Sequence, residues 1–281
     1  MEITVLPEDL KISPSNSIQV FTYENKHDNQ RSKINLSKNT ISFLRIGTKE
    51  VIGDDDTVLI DNQKFVVIKS GNCLMTEKVS DSDKLYKSIL LFFPNELVID
   101  FLERNRLVSE LNREQKSYYI FDYDEFIHSF VESLEEILLM PILIQEKILK
   151  AKFEEIMLYL THQYGASFLN RMIYQVDDSI TRLINIVENN RHNKLSLHEL
   201  AFLSNMSIST FKREFFKHYH KTPIRWFNDE RLEHTALLIR TKQKRPIEAY
   251  EDAGYESFSN FIQAFKKRFG VTPKKYQIEH L

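Results

Sequence analysis

The stretch that decides the fold class is GYESFSNFIQAFKKRFGVTP, residues 254–273, because its pattern occurs twice in the chain. Residues 204–223 read SNMSISTFKREFFKHYHKTP and repeat that pattern at an offset of 50 residues. The matching pairs are Ser207/Ser257, Phe211/Phe261, Phe215/Phe265, Lys217/Lys267, Thr222/Thr272 and Pro223/Pro273. Each copy consists of a turn and then a helix with aromatic residues four apart, and a short helical segment precedes the turn. The repeat therefore predicts two helix-turn-helix units, whose second helices lie in the major groove of DNA.

The aromatic spacing divides each second helix into an apolar and a polar face. We expect the aromatic stripe to be core, namely Phe211, Phe215, Trp226, Phe261 and Phe265. The polar faces carry donors and acceptors that suit base edges, so we expect base contacts from Ser209, Thr210, Lys212, Arg213, Ser259, Asn260, Gln263 and Lys266. Phosphate contacts are expected from Lys217, Lys266, Lys267 and Arg268.

The two polar faces differ in charge. The first offers Lys212 and Arg213, whose donors suit guanine or a phosphate oxygen. The second offers neutral groups, among them Asn260 and Gln263, which suit adenine or water-mediated contacts. We therefore expect the first unit to dominate specificity.

Charge is distributed unevenly along the 281 residues, although the formal net charge is only −2. Residues 191–281 hold 17 Lys and Arg against 10 Asp and Glu, whereas residues 1–190 hold 21 against 30. A basic C-terminal third that follows an acidic N-terminal part indicates a nucleic-acid-binding module fused to a region with another role. A solvated basic face would give the same count, so the inference of double-stranded DNA as partner depends on the repeat.

The first hundred residues predict strands. Short β-branched or aromatic runs occupy residues 18–23, 41–46, 64–68 and 85–92, and turn signals such as Asp54-Asp55-Asp56 lie between them. Such spacing predicts an antiparallel β-sandwich or a small barrel, covering residues 1–94.

The pattern changes after Pro94. Phe126, Phe130 and Leu134 fall at helical spacing, which predicts amphipathic helices that cover the barrel or pair with another subunit. We assign residues 95–175 to a helical connector and dimerisation region, and residues 176–281 to an all-α DNA-binding domain. The expected class is α+β, and the expected oligomer is a homodimer formed by the helices between Asp124 and Gln175.

Several classes are disfavoured by what the sequence lacks. A single cysteine, Cys73, excludes a disulfide framework and a cysteine-rich zinc module. The longest apolar candidate, residues 138–144, is far too short to span a membrane, and residues 1–10 lack a signal pattern, so we expect a cytoplasmic protein. His27 is the only histidine before residue 128, so a cupin-type metal cluster cannot be assembled and no cofactor is expected.

An enzyme built on the N-terminal region, with DNA binding as an accessory, is the alternative from another class. No Ser-His-Asp ordering, phosphate loop or dinucleotide fingerprint is present to support it. We therefore expect no enzymatic activity, and a metal analysis of the purified protein would discriminate the two readings.

The repeated motif resembles that of the AraC/XylS family of bacterial transcription regulators. In the second unit the family pattern is matched by Gly254-Tyr255, Ser257, Phe261, Phe265-Lys266, Phe269-Gly270 and Pro273. In the first unit it is matched by Leu197, Leu200-Ala201, Ser207, Phe211, Phe215-Phe216-Lys217 and Pro223, and between the units by Arg231-Leu232 and Ala236. Two positions depart from it: Ala249-Tyr250 stand where Ile-Ala is usual, and Gln263 stands where arginine is common.

The resemblance implies two helix-turn-helix units joined by one long helix, binding adjacent major-groove segments on one DNA face. It also implies a cupin-like N-terminal domain that receives a small-molecule effector or a regulatory protein. We therefore expect a transcription regulator, an activator, whose N-terminal domain controls dimerisation or domain orientation.

Overall fold

The computed structural model of the chain describes residues 3–10, 18–53, 57–107, 116–173, 179–241, 244–251 and 253–280. The chain divides into two compact units, residues 1–178 and 179–281. The predicted turn at residues 54–56 lies outside the described residues.

In its described residues the N-terminal unit contains ten strands, four α-helices and one short 3-10 helix, Glu8–Leu10. The strands are β1 (Ile3–Leu6), β2 (Gln19–Asn25), β3 (Asn29–Leu36), β4 (Asn39–Ile46), β5 (Thr48–Ile52), β6 (Thr57–Ile60), β7 (Lys64–Ile68), β8 (Gly71–Lys78), β9 (Tyr86–Phe93) and β10 (Tyr118–Asp122). The helices are α1 (Asn95–Arg104), α2 (Glu125–Ile137), α3 (Ile142–Tyr164) and α4 (Ser167–Ile173).

The described strands form two five-stranded sheets. The first sheet has the order β1-β3-β8-β5-β6 and the second has the order β10-β7-β4-β9-β2. Their described pairs are antiparallel, except that β1 runs parallel to β3. The prediction of an antiparallel sandwich is confirmed, whereas the closed cupin-like barrel does not form, because no described strand pair joins one sheet to the other.

The chain passes from the second sheet to the first at Gly47, between β4 and β5. Gly47 has φ +93°, and a Cβ there would lie 2.4 Å from the carbonyl oxygen of Lys78. Only glycine fits this crossing, because a side chain would be strained and would collide with the neighbouring backbone.

The second sheet is buried on both faces. On β9, Leu90 and Phe92 point to the core between the sheets, whereas Ile89, Leu91 and Phe93 point to the core beneath α1–α4. A strand covered on both sides reads as a continuous apolar run, as this one does. The helices therefore cover the sheet, which is one of the two roles predicted for them.

One strand lies inside the region predicted to be a helical connector. β10 pairs antiparallel with β7, with Phe121 opposite Phe65. Four β-favouring residues, Tyr118 to Phe121, make strand the preferred local structure there, so an all-helical reading of residues 95–175 is wrong at this point. The helices of this region belong to the same compact unit as the sheets.

The C-terminal unit is helical in its described residues. Its helices are α5 (Ser179–Asn189), α6 (Leu197–Leu203), α7 (Ile208–Tyr219), α8 (Pro223–Arg240), α9 (Pro246–Ala249), α10 (Phe258–Phe269) and α11 (Pro273–Glu279). The helix pairs α6–α7 and α9–α10 are the two predicted helix-turn-helix units, and α8 joins them. A capping box starts α6, where Ser196 and Glu199 accept hydrogen bonds from each other's backbone N–H groups.

Each of the two turns contains one residue with positive φ, and its type differs between the units. In the first turn Asn205 has φ +53°, and in the second Gly254 has φ +82°. A Cβ on Gly254 would lie 3.4 Å from the Arg231 guanidinium, so glycine also lets the second turn pack closely on α8.

Candidate nucleic-acid interface

Aromatic cores hold the second helix of each unit in place. Phe215 is fully buried, and its ring centroid lies 4.5 Å from that of Tyr219, 5.8 Å from Trp226 and 6.1 Å from Phe227. In the second unit the rings of Phe261 and Phe265 lie 5.5 Å apart, in a core completed by Leu232, Ala236 and Ile239 of α8. All five aromatic residues predicted for the core are buried, so that prediction is confirmed.

The outer face of α7 carries the residues predicted to read DNA in the first unit. Ser209, Lys212 and Arg213 are all exposed. Thr210 is half-buried, and its hydroxyl lies 2.9 Å from the Ser207 hydroxyl that caps the helix. Thr210 therefore lies beside the cap, whereas the other three side chains face solvent.

A carboxylate holds two of the predicted cations of α7. Arg213 Nε donates to Glu214 Oε1 at 2.9 Å, and Lys217 Nζ donates to the same oxygen at 3.0 Å. These hydrogen bonds, first from Arg213 and then from Lys217, lower the pKa of Glu214. Sequence reasoning missed Glu214, although its spacing of three residues from Lys217 is a recognisable helical pair.

The outer face of α10 carries the second predicted set. Ser259, Asn260, Gln263, Lys266 and Lys267 are exposed side by side along this helix. The predicted phosphate contact Arg268 differs from its neighbours, because its Nη2 donates to Glu233 Oε1 of α8 at 2.7 Å. The structure places all the predicted DNA-contacting residues on α7 and α10. It also shows a carboxylate beside some of their cations, namely Glu214 in the first unit and Glu233 in the second.

Two exposed apolar residues of the first unit were also missed. Phe216 of α7 is 54% exposed and Ile224 of α8 is 68% exposed. They line one cleft together with Leu197, Ser209, Lys212, Arg213, Lys217, Thr222 and Pro223. The signal was available, because Ser209, Lys212, Arg213 and Phe216 follow the i, i+3, i+4, i+7 spacing of a single helix face.

The histidines of this unit form no cluster with metal-site composition. Among the described residues, no group of three or more His, Cys, Asp or Glu side chains could hold a metal ion. His234 stacks on His192, with ring centroids 4.2 Å apart. Burial, the neighbouring His234 and then Arg191 lower the pKa of His192.

In the described part of the chain, no helix is both long and apolar enough to cross a membrane.

Two buried helix-turn-helix cores with exposed polar faces, following a β-sandwich, define a DNA-binding regulator of two units. Comparison with known protein families agrees with this class. Residues 39–171 match the ExsA N-terminal regulatory domain, and residues 200–278 match a helix-turn-helix domain.

Three relatives each match about two thirds of the chain or more. The virulence regulon transcriptional activator VirF of Yersinia enterocolitica is 27% identical over 194 residues, which cover 66% of this chain and 70% of VirF. The thermoregulatory protein LcrF of Yersinia pestis is 26% identical over the same length. The transcriptional regulator ExsA of Pseudomonas aeruginosa is 23% identical over 228 residues, or 79% of each chain. The chain thus combines an ExsA-type N-terminal regulatory domain with an AraC-type helix-turn-helix domain, and these relatives are DNA-binding transcription regulators of the AraC family.

Solved structures with some similarity include ToxT of Vibrio cholerae, with a TM-score of 0.42 and 17% identity over 94% of this chain and 98% of ToxT. Another is the DNA-binding domain of AdpA in complex with a target DNA, with a TM-score of 0.34 and 21% identity over 37% of this chain and 94% of that domain.

Proposed function

We propose that this chain activates transcription by placing α7 and α10 in adjacent major-groove segments of a promoter, and that the N-terminal unit controls this binding. The proposal rests on one observation: the repeat places an exposed polar face on each of two helices, Ser209 to Lys217 on α7 and Ser259 to Arg268 on α10. We further propose that residues 176–281 form the DNA-binding domain, that the protein acts in the cytoplasm, and that it catalyses no reaction.

The two helices contribute unequally in this proposal. Lys212 makes no ion pair with a described residue, and the neighbouring Arg213 is paired with Glu214 through Nε. Lys212 Nζ and the Arg213 Nη groups can therefore both reach guanine O6 and N7. Gln263 offers a neutral amide at the corresponding position of α10. We expect Arg213→Ala to cost about 1–3 kcal/mol at the preferred site and Gln263→Ala to cost less.

The test begins with a duplex selected from a random library by the full chain. Anisotropy titrations would compare wild type, Arg213→Ala and Gln263→Ala on this duplex and on a scrambled one. If Gln263→Ala loses more discrimination than Arg213→Ala, the second helix is the reader and the assignment fails.

Salt dependence tests the electrostatic part of the same proposal. Six cations lie on the two faces, but Arg213 and Lys217 are held by Glu214, and Arg268 is held by Glu233. Counterion release by three to six phosphate contacts gives a slope of log K against log salt of roughly −2.5 to −5.5. An affinity that does not change with salt would contradict the proposal.

A cavity between the two sheets is the place where we propose that an effector acts. Its volume is about 120 Å³, and its polar end is formed by Lys49, Ser42, Glu77 and Asn29. Lys49 Nζ donates to Ser42 Oγ at 3.1 Å and lies 3.7 Å from Glu77 Oε1. Burial and then the Glu77 charge raise the pKa of Tyr23, which also lines the cavity, to about 12.

The charged pair is unusual in such a place, because a buried ion pair rarely adds stability over apolar residues of similar size. An apolar cavity of about 150 Å³ binds benzene, so this smaller one suits a ligand no larger than about one ring with a polar group. Thermal-shift screening of such compounds should find ligands that stabilise wild type. The double variant Lys49→Met/Glu77→Gln, which removes both charges together, should not respond. Equal shifts in both proteins would place the ligand elsewhere.

We propose that the chain dimerises through the junction of α2 and α3. The apolar stripe of α2 does not serve this purpose, because Phe130 and Leu134 are buried on the second sheet of the same copy. At the junction, however, Leu139 is 88% exposed, Leu143 is 75% exposed, and Ile142 is exposed beside them. Contiguous exposed apolar residues of this kind mark interaction sites.

Sedimentation velocity at tens of micromolar, a range that covers ordinary dimer affinities, should show a dimer for wild type and a folded monomer for Leu143→Glu. A wild-type chain that remains monomeric would contradict this proposal.

A further inference from the structure

Phe216 stands out because it is a large apolar residue on a face otherwise made for DNA. It is the fourth member of the face formed by Ser209, Lys212 and Arg213. A homeodomain recognition helix reads bases with four residues at this same spacing. If α7 lies in the major groove, as proposed above, Phe216 follows the base-reading residues along the groove.

The second unit shows that this apolar character is particular to the first. The residues 50 positions after Phe216 and Ile224 are Lys266 and Lys274, both exposed. An apolar pair thus replaces two cations that would suit phosphate oxygens. The exposed Phe216 ring is also not required by the core, which is completed by Phe211 and Phe215 on the opposite side of α7.

The cleft beside Phe216 favours DNA over a protein as its occupant. Lys212, Arg213 and Lys217 line the same cleft, so its apolar floor has a cationic border that complements the phosphates on either side of a groove. In the major groove, the one apolar group that distinguishes a base is the thymine C5-methyl, and phenylalanine is among the side chains that contact it.

We infer that Phe216 is a specificity-determining residue that contacts the C5-methyl group of a thymine in the segment bound by the first unit. This inference rests on the proposed placement of α7 in the major groove. It assigns the unit a second kind of readout, an apolar contact beside the hydrogen bonds of Lys212 and Arg213.

Single replacement of thymine by deoxyuridine removes only the methyl group, which makes it the sharpest probe. In the selected duplex, each thymine would be replaced in turn, and the affinity of full-length wild type and Phe216→Ala would be measured. Wild type should bind about fourfold more weakly when one particular thymine is replaced, because burial of one such carbon group is worth about 0.8 kcal/mol. Phe216→Ala should already bind the thymine duplex more weakly and should show no further loss at that position.

Three results would overturn the inference: thymine-to-uracil effects of the same size in both proteins, a selected site without thymine in the segment bound by the first unit, or wild-type affinity of Phe216→Ala for every duplex. The last result would favour a protein occupant for the cleft. Arg213→Ala and Lys267→Ala, tested on the same duplexes, separate this inference from the proposed function. If both still weaken binding, only the role of Phe216 fails; if neither does, the placement of the helices fails as well.

Discussion

Replacing Phe215 by alanine should unfold the first helix-turn-helix unit at a much lower denaturant concentration than in wild type. The Phe215 side chain is fully buried, and four aromatic rings, those of Phe211, Tyr219, Trp226 and Phe227, lie with centroids 4.5–6.1 Å from its own. Truncation removes this burial and leaves a cavity that rigid neighbouring rings cannot readily fill.

The expected loss can be given a magnitude. Deletion of a buried phenylalanine side chain costs about 3–5 kcal/mol of unfolding free energy, and the number of aromatic neighbours places Phe215 at the upper end. With a urea dependence of about 1.5 kcal/mol/M, the unfolding midpoint should fall by about 2–3 M. Since whole domains have about 5–15 kcal/mol of stability, such a loss leaves the unit marginal.

The chain supplies its own reporter for this change. Trp226 is the only tryptophan in the sequence, and its ring meets that of Phe215 at 77°. Tryptophan fluorescence during urea unfolding of the full chain therefore follows the first unit selectively.

The neighbouring Phe216 provides the matched control, because it has the same side chain at an exposed site. Phe216→Ala should change the unfolding free energy by no more than about 0.5 kcal/mol. The assignment of Phe215 to the core and of Phe216 to the surface would be refuted by a loss of unfolding free energy below about 1 kcal/mol in Phe215→Ala. Equal losses in the two variants would refute it as well.

Three further outcomes are expected. Lys267→Ala should weaken binding to all duplexes alike and reduce the salt slope by about one unit, which titrations at several salt concentrations would show; a sequence-dependent loss would contradict a phosphate role. His220 ends α7 with φ +53°, so His220→Gly should raise the unfolding free energy by up to about 1 kcal/mol, and an unchanged urea midpoint would contradict this. The pKa of His192 is lowered from its usual 6.5, so the folded state binds fewer protons, and the stability present above pH 6.5 should decline as the pH falls below that value. His234→Gln should make this decline shallower in melting temperatures at pH 7.5 and 5.5, and equal declines would exclude the histidine pair.

The features that could be predicted from the sequence are those set by residues close together in the chain. The capping box at Ser196 and the aromatic stripes of α7 and α10 depend on spacings of three and four residues, so the pattern alone indicates them. The 50-residue offset then assigns the same architecture to both units.

The features that could not be predicted depend on pairing between distant residues. The division of the strands into two open sheets is decided by which strands pair, and strand count alone allows a barrel equally well. Strands such as β3 and β8 are rich in polar residues and give little apolar signal, although they pair with each other. The Arg268–Glu233 ion pair joins two helices whose paired residues lie 35 positions apart in the sequence, so no local pattern predicts it.

Dimethyl sulfate protection of guanine N7 on the selected duplex tests the central claim most directly, because N7 lies in the major groove. The account predicts that the full chain protects two major-groove segments on one DNA face, with centres about one helical turn of 10 base pairs apart. It also predicts that Arg213→Ala loses protection in one segment while the other, bound by α10, keeps it. Protection of a single segment, or loss of both segments together in Arg213→Ala, would contradict the claim that two units read adjacent grooves.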